Sequence, residues 1–384
     1  MNGSEVLQAP RVSSGGRWLQ WLAVLGLVYV LISAVSMIGS GFKAATGGQA
    51  QELFEFASNP YVGLVVGIVA TALIQSSSTV TSLIVGMVAG GLPVTIAIPM
   101  IMGSNVGTTV TNTLVSLGHM RDKAEFRRAF SAATVHDFFN LIAVAIFLPL
   151  EIMFGFLEHV ALWLSTFLIG SDSYSMSDIN VIKMLTKPFV SAVDSVTGML
   201  PGTLGSVALI ITGLVLIFAA ITYIGKLLKV LMVGKAKEVL HSAIGRGPIT
   251  GIASGALVTT FVQSSSTTTS LMVPLAGSGT FSLKQIYPFM LGANIGTTVT
   301  ALLAATAITG ALAVSALEIA LVHFLFNVFA VVVIFGIPLL RNLPIIGAEW
   351  LAGIASERKV FAAAWVLGVF IVVPLLMIAA SMMI

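Results

Sequence analysis

QSSSTVTSLIV at Gln75–Val85 returns 188 residues later as QSSSTTTSLMV at Gln263–Val273, and nine of the eleven positions are identical. GSNVGTTVT at Gly103–Thr111 returns as GANIGTTVT at Gly292–Thr300, with seven of nine positions kept. A third pair, His136-x-x-x-Asn140 and His323-x-x-x-Asn327, closes each block. Its i,i+4 spacing puts both side chains of a pair on one helix face. Three motifs in one order, at offsets of 188, 189 and 187 residues, mark a duplicated unit.

The unit lies in a very apolar chain. Of 384 residues, 57% are hydrophobic and 9% charged, where soluble domains carry about 25% charged residues. A membrane span takes about 20 apolar residues, so a soluble enzyme is excluded. Cysteine is absent, which removes disulfides, thiolate nucleophiles and cysteine-ligated metals. The 18 basic residues form no polybasic face, so no nucleic-acid partner is expected.

Trp18–Gly39 is a 22-residue stretch without charge, too long for a signal core and with no small-residue cleavage pattern behind it. It reads as a retained span. From Phe56 to Met120, 65 residues pass without Lys, Arg, Asp or Glu, yet they hold both first-copy motifs and the Gly90-Gly-Leu-Pro93 turn. Hydroxyls, amides and glycines at membrane depth belong in protein or along a cavity, so broken helices or re-entrant hairpins are expected here. Further spans are expected near 129–150, 207–225, 315–340 and 360–384, with a weaker one at 153–169. Residues 170–206 read as a Ser/Asp-rich loop, with Lys183, Lys187, Asp172, Asp178 and Asp194 solvated. Tight packing by small residues, as an alternative reading, is set aside because it calls for small-x-x-x-small spacing rather than a repeated QSSST.

Basic residues orient the copies. Arg11 and Arg17 precede the first span and place residues 1–17 in the cytoplasm, so copy one starts from outside. Lys226, Lys229, Lys235, Lys237 and Arg246 precede copy two, which then starts from inside. Arg121, Lys123, Arg127 and Arg128 close copy one, and the matching 306–314 loop has no basic residue. The expected fold is an all-α polytopic membrane protein. Two inverted-topology repeats bring re-entrant hairpins and broken helices together near the bilayer midplane, a construction of secondary transporters. The layout is 1–17 N-terminus, 18–60 first span and loop, 61–150 repeat 1, 151–248 connecting segment with one or more spans, 249–340 repeat 2 and 341–384 C-terminal span.

The motifs carry no charge. A helix restarting at each QSSST offers free N–H groups and a partial positive end, and two such ends with serine hydroxyls can cradle an oxyanion. Gln, Asn, hydroxyl and carbonyl oxygens are hard ligands suited to an alkali cation. The residues support a symporter of an anion with cations and leave the anion open.

The doubled QSSST, the GSNVGTT and GANIGTT pair, FRRAFSAATVHDFFN at Phe126–Asn140 and HFLFN at His323–Asn327 resemble the type II sodium-phosphate cotransporters over about residues 56–375. The resemblance implies sodium-driven uptake of inorganic phosphate, with Ser76, Ser77, Ser78, Ser264, Ser265 and Ser266 near phosphate. It implies sodium at Gln75, Thr79, Asn105, Thr108, Thr109, Gln263, Thr267, Asn294, Thr297 and Thr298. The chain departs from animal members in its short 170–206 segment and shorter C-terminal part. In similar electrogenic relatives an Asp at the position of Asp137 serves an additional sodium, so electrogenic transport is expected. The plain alternative pairs Asp137 with Arg127, Arg128 or a polar neighbour. Glu318 aligns with Ser131 and reads as a neutralised or interface carboxylate. His136, Asn140, His323 and Asn327 read as helix braces.

Sodium ions are the coupling ions and no cofactor is expected. The partners are phosphate, sodium and the lipid bilayer, and a homo-oligomer is compatible with the sequence. Short loops suit a bacterial inner membrane. The competing readings are a sodium symporter of another oxyanion, an anion channel, and a membrane enzyme. The enzyme is disfavoured because no serine run has a local His and no H-E-x-x-H occurs.

Overall fold

The computed structural model describes residues 14–47, 52, 54–169, 181–243 and 247–381. Arg11, Asp172, Asp178 and Arg246 lie outside them. Among the described residues every regular element is helical, as expected of a chain that must satisfy its backbone without water.

Helix α1 runs Ser14–Thr46, α2 Pro60–Ile74, α3 Ser77–Ala89, α4 Val94–Thr108, α5 Val110–Leu117 and α6 Lys123–Phe154. Then come α7 Phe156–Ile169, α8 Val181–Thr197 and α9 Leu204–Ala243. The second half has α10 Pro248–Val262, α11 Ser265–Ser270, α12 Met272–Gly277 and α13 Leu283–Ala305. It ends with α14 Ala313–Ala330, α15 Pro338–Arg341, α16 Leu343–Glu357, α17 Val360–Leu367 and α18 Val373–Ser381. π-Helical turns follow α14 and α17. Among the described residues, seven stretches are long and apolar enough to cross a membrane: α1, α4–α5, α6, the Leu204–Leu228 part of α9, α13, α14 and α17–α18. Large apolar side chains such as Leu73, Trp163, Phe167 and Leu375 stand exposed, a surface suited to lipid rather than water.

The expected loop at 170–206 is corrected by α8. Apolar residues at helical spacing make it amphipathic, and it lies along α1: the Tyr29 hydroxyl donates to the Leu185 carbonyl at 3.0 Å, and the Tyr29 and Phe189 rings are 6.2 Å apart.

The sequence starts each broken helix with a proline. Pro60 and Pro248 occupy the first turns of α2 and α10, where a missing N–H costs nothing. Both helices stop at a glutamine in the left-handed region, Gln75 at φ 57 and Gln263 at φ 56, the two positive-φ non-glycine residues among the described residues. Such a conformation costs about 1–2 kcal/mol, and the duplicated unit keeps it twice. The chain reverses there. Gly63 sits against Pro99 and Gly107 against Thr71, so α2 and α4 run parallel; Gly251 against Pro288 and Gly296 against Thr259 repeat this for α10 and α13. Only residues 90–93 join α3 to α4 and only 278–282 join α12 to α13, so each second arm must return toward the start of its first arm.

The glycines set the spacing. A Cβ on Gly67 would overlap the Met100 carbonyl, one on Gly103 the Leu64 carbonyl, one on Gly255 the Phe289 carbonyl and one on Gly292 the Ile252 carbonyl. The packing role set aside from the sequence is therefore present: Gly103 and Gly107, and Gly292 and Gly296, are spaced i,i+4 inside the second motif and admit a helix backbone.

The halves interlock. α1 packs on α9 with Gly41 against Ser206 and Ile210, Gly213 against Ala34 and Ile38, and Val24 beside Ile224 and Leu228. Residue numbers rise along one helix as they fall along the other, so these helices, each leading into a hairpin, are antiparallel. α7 packs on α14, and α16 packs on α6.

Candidate functional site

The site forms where the hairpin tips meet the second motif of each copy. Ser76 is extended and caps α3, its hydroxyl accepting from the Thr79 N–H at 3.3 Å and lying 2.9 Å from the Thr79 hydroxyl. Ser264 does the same for α11, with the Thr267 N–H at 3.2 Å and its hydroxyl at 2.9 Å. The leading serines, expected near phosphate, thus also cap their own helix starts through their side-chain oxygens. Ser77, Ser78, Ser265 and Ser266 follow, all buried. The hydroxyls of Ser77, Ser265 and Ser266 make no hydrogen bond among the described residues, whereas Ser78 lies 3.0 Å from the Thr297 hydroxyl and donates to the Gln263 carbonyl at 3.4 Å. The tip of the first hairpin thus touches both the tip and the second motif of the other copy. α11 and α12 meet at Leu271 because Pro274 has no N–H to give the Ser270 carbonyl.

Each glutamine latches its tip to the neighbouring helix. The Gln75 amide nitrogen donates to the Ala72 carbonyl and its oxygen accepts from the Thr111 hydroxyl at 2.8 Å. Gln263 donates to the Thr260 carbonyl and accepts from Thr300 at 2.8 Å. Thr111 and Thr300 end the repeated second motif, which signals the pairing without naming it.

A neutral hydrogen-bond chain joins the copies. Thr269 donates to Asn112 at 2.9 Å, Asn112 to Nδ1 of His136 at 3.3 Å, and Nε2 of His136 to Asn294 at 2.6 Å. Asn294 donates to Asn140 at 2.8 Å, and Asn140 to the Asn105 carbonyl at 2.9 Å. Asn105 donates to Asn327 at 3.1 Å and accepts from Nε2 of His323 at 3.2 Å, while Asn327 donates to the His323 carbonyl at 2.8 Å. The asparagine of each second motif is held by the His/Asn pair of the opposite copy. With neighbours on both ring nitrogens, His136 is fixed as the Nε2–H tautomer. Such networks in a low-dielectric interior are stiff where their members are satisfied; here Nδ1 of His323 is buried without a hydrogen-bond partner among the described residues.

The threonines divide in a similar way. Thr108, Thr109 and Thr298 donate to the backbone carbonyls of Ser104, Val106 and Ile295 at 2.9, 2.9 and 2.7 Å, leaving oxygen lone pairs for a cation. Thr71 and Thr259, equivalent residues at the offset of 188, are fully buried against Gly107 and Gly296, and their hydroxyls have no partner. Sequence reasoning missed this pair, although the identity of the two threonines could have flagged it.

Asp137 is fully buried, and its Oδ2 accepts from the Trp365 indole at 2.7 Å. The hydroxyls of Thr109 and Thr113 lie beside the same carboxylate, but among the described residues neither its Oδ1 nor the Thr113 hydroxyl has a hydrogen-bond partner. The suggested arginine partner is corrected: Arg128 donates instead to the Gly277 carbonyl at 2.8 Å. Nothing in the local motif pointed to Trp365, 228 residues away. Glu318 is buried on α14, and Glu158 of α7 is its charged neighbour.

The two tips differ in exposure. Gln263 is buried at 7% and Thr300 is fully buried, whereas Gln75 is exposed and Thr111 partly so.

Residues 30–171 and 215–341 match the family described as Na+/Pi-cotransporter. The chain is 34% identical to sodium-dependent phosphate transport protein 2A of Rattus norvegicus over 452 aligned positions, covering 97% of this chain and 70% of the relative. For protein 2A of Ovis aries the figures are 33%, with 94% and 67% covered, and for protein 2B of Homo sapiens 31%, with 94% and 65% covered. These alignments are longer than the chain, so the relatives carry insertions. No solved structure matches the chain.

Proposed function

The chain belongs to the Na+/Pi-cotransporter family and is a multi-pass, sodium-dependent phosphate cotransporter, and we propose that two inverted-topology repeats hold phosphate between their re-entrant hairpin tips. The observation that carries the reading is the exchange of partners: Asn294 with His136 and Asn140, Asn105 with His323 and Asn327. An exchange of equivalent bonds needs two-fold symmetry, and the antiparallel α1–α9 pair supports an axis in the membrane plane.

Phosphate is received by Ser77 and Ser265, whose hydroxyls lack protein partners, with Ser78, Ser266 and the first N–H groups of α3 and α11. Backbone donors and a helix-start dipole suit an oxyanion without arginine. Ser76 and Ser264 shape the tips rather than bind. Sodium takes the oxygens beneath each tip: Gln75, Thr79, Asn105 and Thr108 in one copy, Gln263, Thr267, Asn294, Thr297 and Thr298 in the other, with Thr71 and Thr259 added. Asp137 with Thr109 and Thr113 forms a third oxygen cluster, and its uncompensated carboxylate supports electrogenic transport. The unequal exposure of Gln75 and Gln263 supports alternating access, one tip open while its mate is closed. The short loops support placement in a bacterial inner membrane.

Proteoliposomes with an inward sodium gradient test the reading through radiolabelled phosphate uptake. Uptake should follow sodium and rise with an inside-negative potential. Sodium-indifferent uptake rejects the coupling, and potential-independent uptake rejects the electrogenic step.

A further inference from the structure

At the base of the second hairpin, away from its tip, lies a cavity of about 270 Å³ between α10, α13 and the α14–α16 junction. Lys284 and Arg341 line it together with Gly247, Pro248, Tyr287 and Phe335, and no carboxylate lines it. Arg341 is pre-positioned: its Nε donates to the Phe335 carbonyl at 2.6 Å and its guanidinium lies 4.8 Å from the Phe335 ring centre. The remaining guanidinium donors have no protein partner among the described residues. Neither does Lys284 form an ion pair there. Tyr287 is 1% exposed and held between rings, with Phe335 at 5.7 Å and Phe139 at 6.4 Å, yet its hydroxyl is buried without a partner. Gly247 gives α10 no side-chain cap, so the first N–H groups of that 15-residue helix face the same end of the hairpin.

The cations are not inherited from the duplicated unit. At the offset of 189, Pro288 matches Pro99, but Lys284 matches Thr95 and Tyr287 matches Ile98. Tight helix packing and a phosphate tip are shared by both copies, so neither explains charges present in one alone.

We propose that this cavity binds a phosphate-type oxyanion through Arg341, Lys284 and the Tyr287 hydroxyl. Two unpaired cations, an orphaned hydroxyl and an uncapped helix start are jointly complementary to such a group. A basic pocket between membrane helices at the cytoplasmic end, where the basic residues put the start of the second copy, suits an anionic phospholipid headgroup. Inorganic phosphate offers the same chemistry, and the experiment separates the two sources. The inference stands apart from the transport reading, because binding here is measured without a gradient.

The full-length protein is incorporated into phosphatidylcholine membranes with and without phosphatidylglycerol, and retained lipid is counted by native mass spectrometry. Binding of radiolabelled phosphate is titrated in phosphatidylcholine alone. The variants are Lys284→Gln with Arg341→Gln, Lys284→Gln alone, and Tyr287→Phe, which keeps the ring packing. If a headgroup occupies the cavity, the pair variant retains about tenfold less phosphatidylglycerol or lower still, Tyr287→Phe retains several-fold less, and phosphate binding is unchanged. If free phosphate occupies it, the wild type shows a second class of phosphate sites that survives Ser77→Ala with Ser265→Ala and vanishes in the pair variant. Either result supports the proposal. Lipid retention and phosphate binding both at wild-type level in all three variants overturns it, and Lys284→Gln and Tyr287→Phe keep the test open if the pair variant fails to fold.

Discussion

Ser265→Ala separates binding from folding at the tip. Ser265 is 2% exposed and its hydroxyl has no partner among the described residues, so its removal breaks no hydrogen bond there. Stability should stay level, since an unpaired polar group is lost rather than created. In the phosphate complex the same hydroxyl would donate to an anion, a bond worth about 1.5–3 kcal/mol. At 1.4 kcal/mol per factor of ten, the phosphate KM should rise roughly ten- to a hundredfold. Ser77→Ala, its mate, should behave alike. Ser78→Ala should differ, because Ser78 also bonds Thr297 at 3.0 Å and the Gln263 carbonyl at 3.4 Å, so it costs about 0.5–1.5 kcal/mol of stability as well. The assay is sodium-driven phosphate uptake beside thermal unfolding in the same detergent. Wild-type KM in both Ser77→Ala and Ser265→Ala, with unchanged Tm, would place phosphate away from the tips.

Gly67→Ala and Gly292→Ala should each lower Tm, by a cost of about 1–3 kcal/mol, because the added methyl overlaps the Met100 or Ile252 carbonyl. Gly353→Ala, whose Cβ meets nothing within 4 Å, serves as the control, and an equal loss in all three would refute backbone contact as the cause. Asp137→Asn keeps a group that Trp365 can donate to and removes the charge. Its currents should move less charge per phosphate while uptake persists, and an unaltered ratio rejects a sodium at Asp137.

The duplication was legible because QSSST and GxNxGTT are short, polar and repeated inside an apolar chain. Their neutrality told the sequence reader what kind of ligand to expect. The reversal at Gln75 was legible only as a break, since the left-handed φ that makes it a hairpin belongs to no residue type but glycine by preference. The capping by Ser76 and Ser264 was not legible because composition does not distinguish a capping hydroxyl from a liganding one; both follow a helix end and precede Thr at the third position. Trp365 was invisible because its link to Asp137 is made by tertiary packing across 228 residues. The helix at Val181–Thr197 hid behind the serines and aspartates around it, although its apolar residues were spaced for a helix.

The meeting of the first tip with the opposite copy is the claim on which the account stands. The chain has no cysteine, so Ser78→Cys with Thr297→Cys can be joined without background, and their hydroxyls are 3.0 Å apart, near enough for a disulfide after small rotation. Oxidation should cross-link the two copies and stop the residual phosphate uptake of the reduced double variant, and reductant should return uptake to that residual rate. A pair that never cross-links, or that transports at the wild-type rate once linked, contradicts the account.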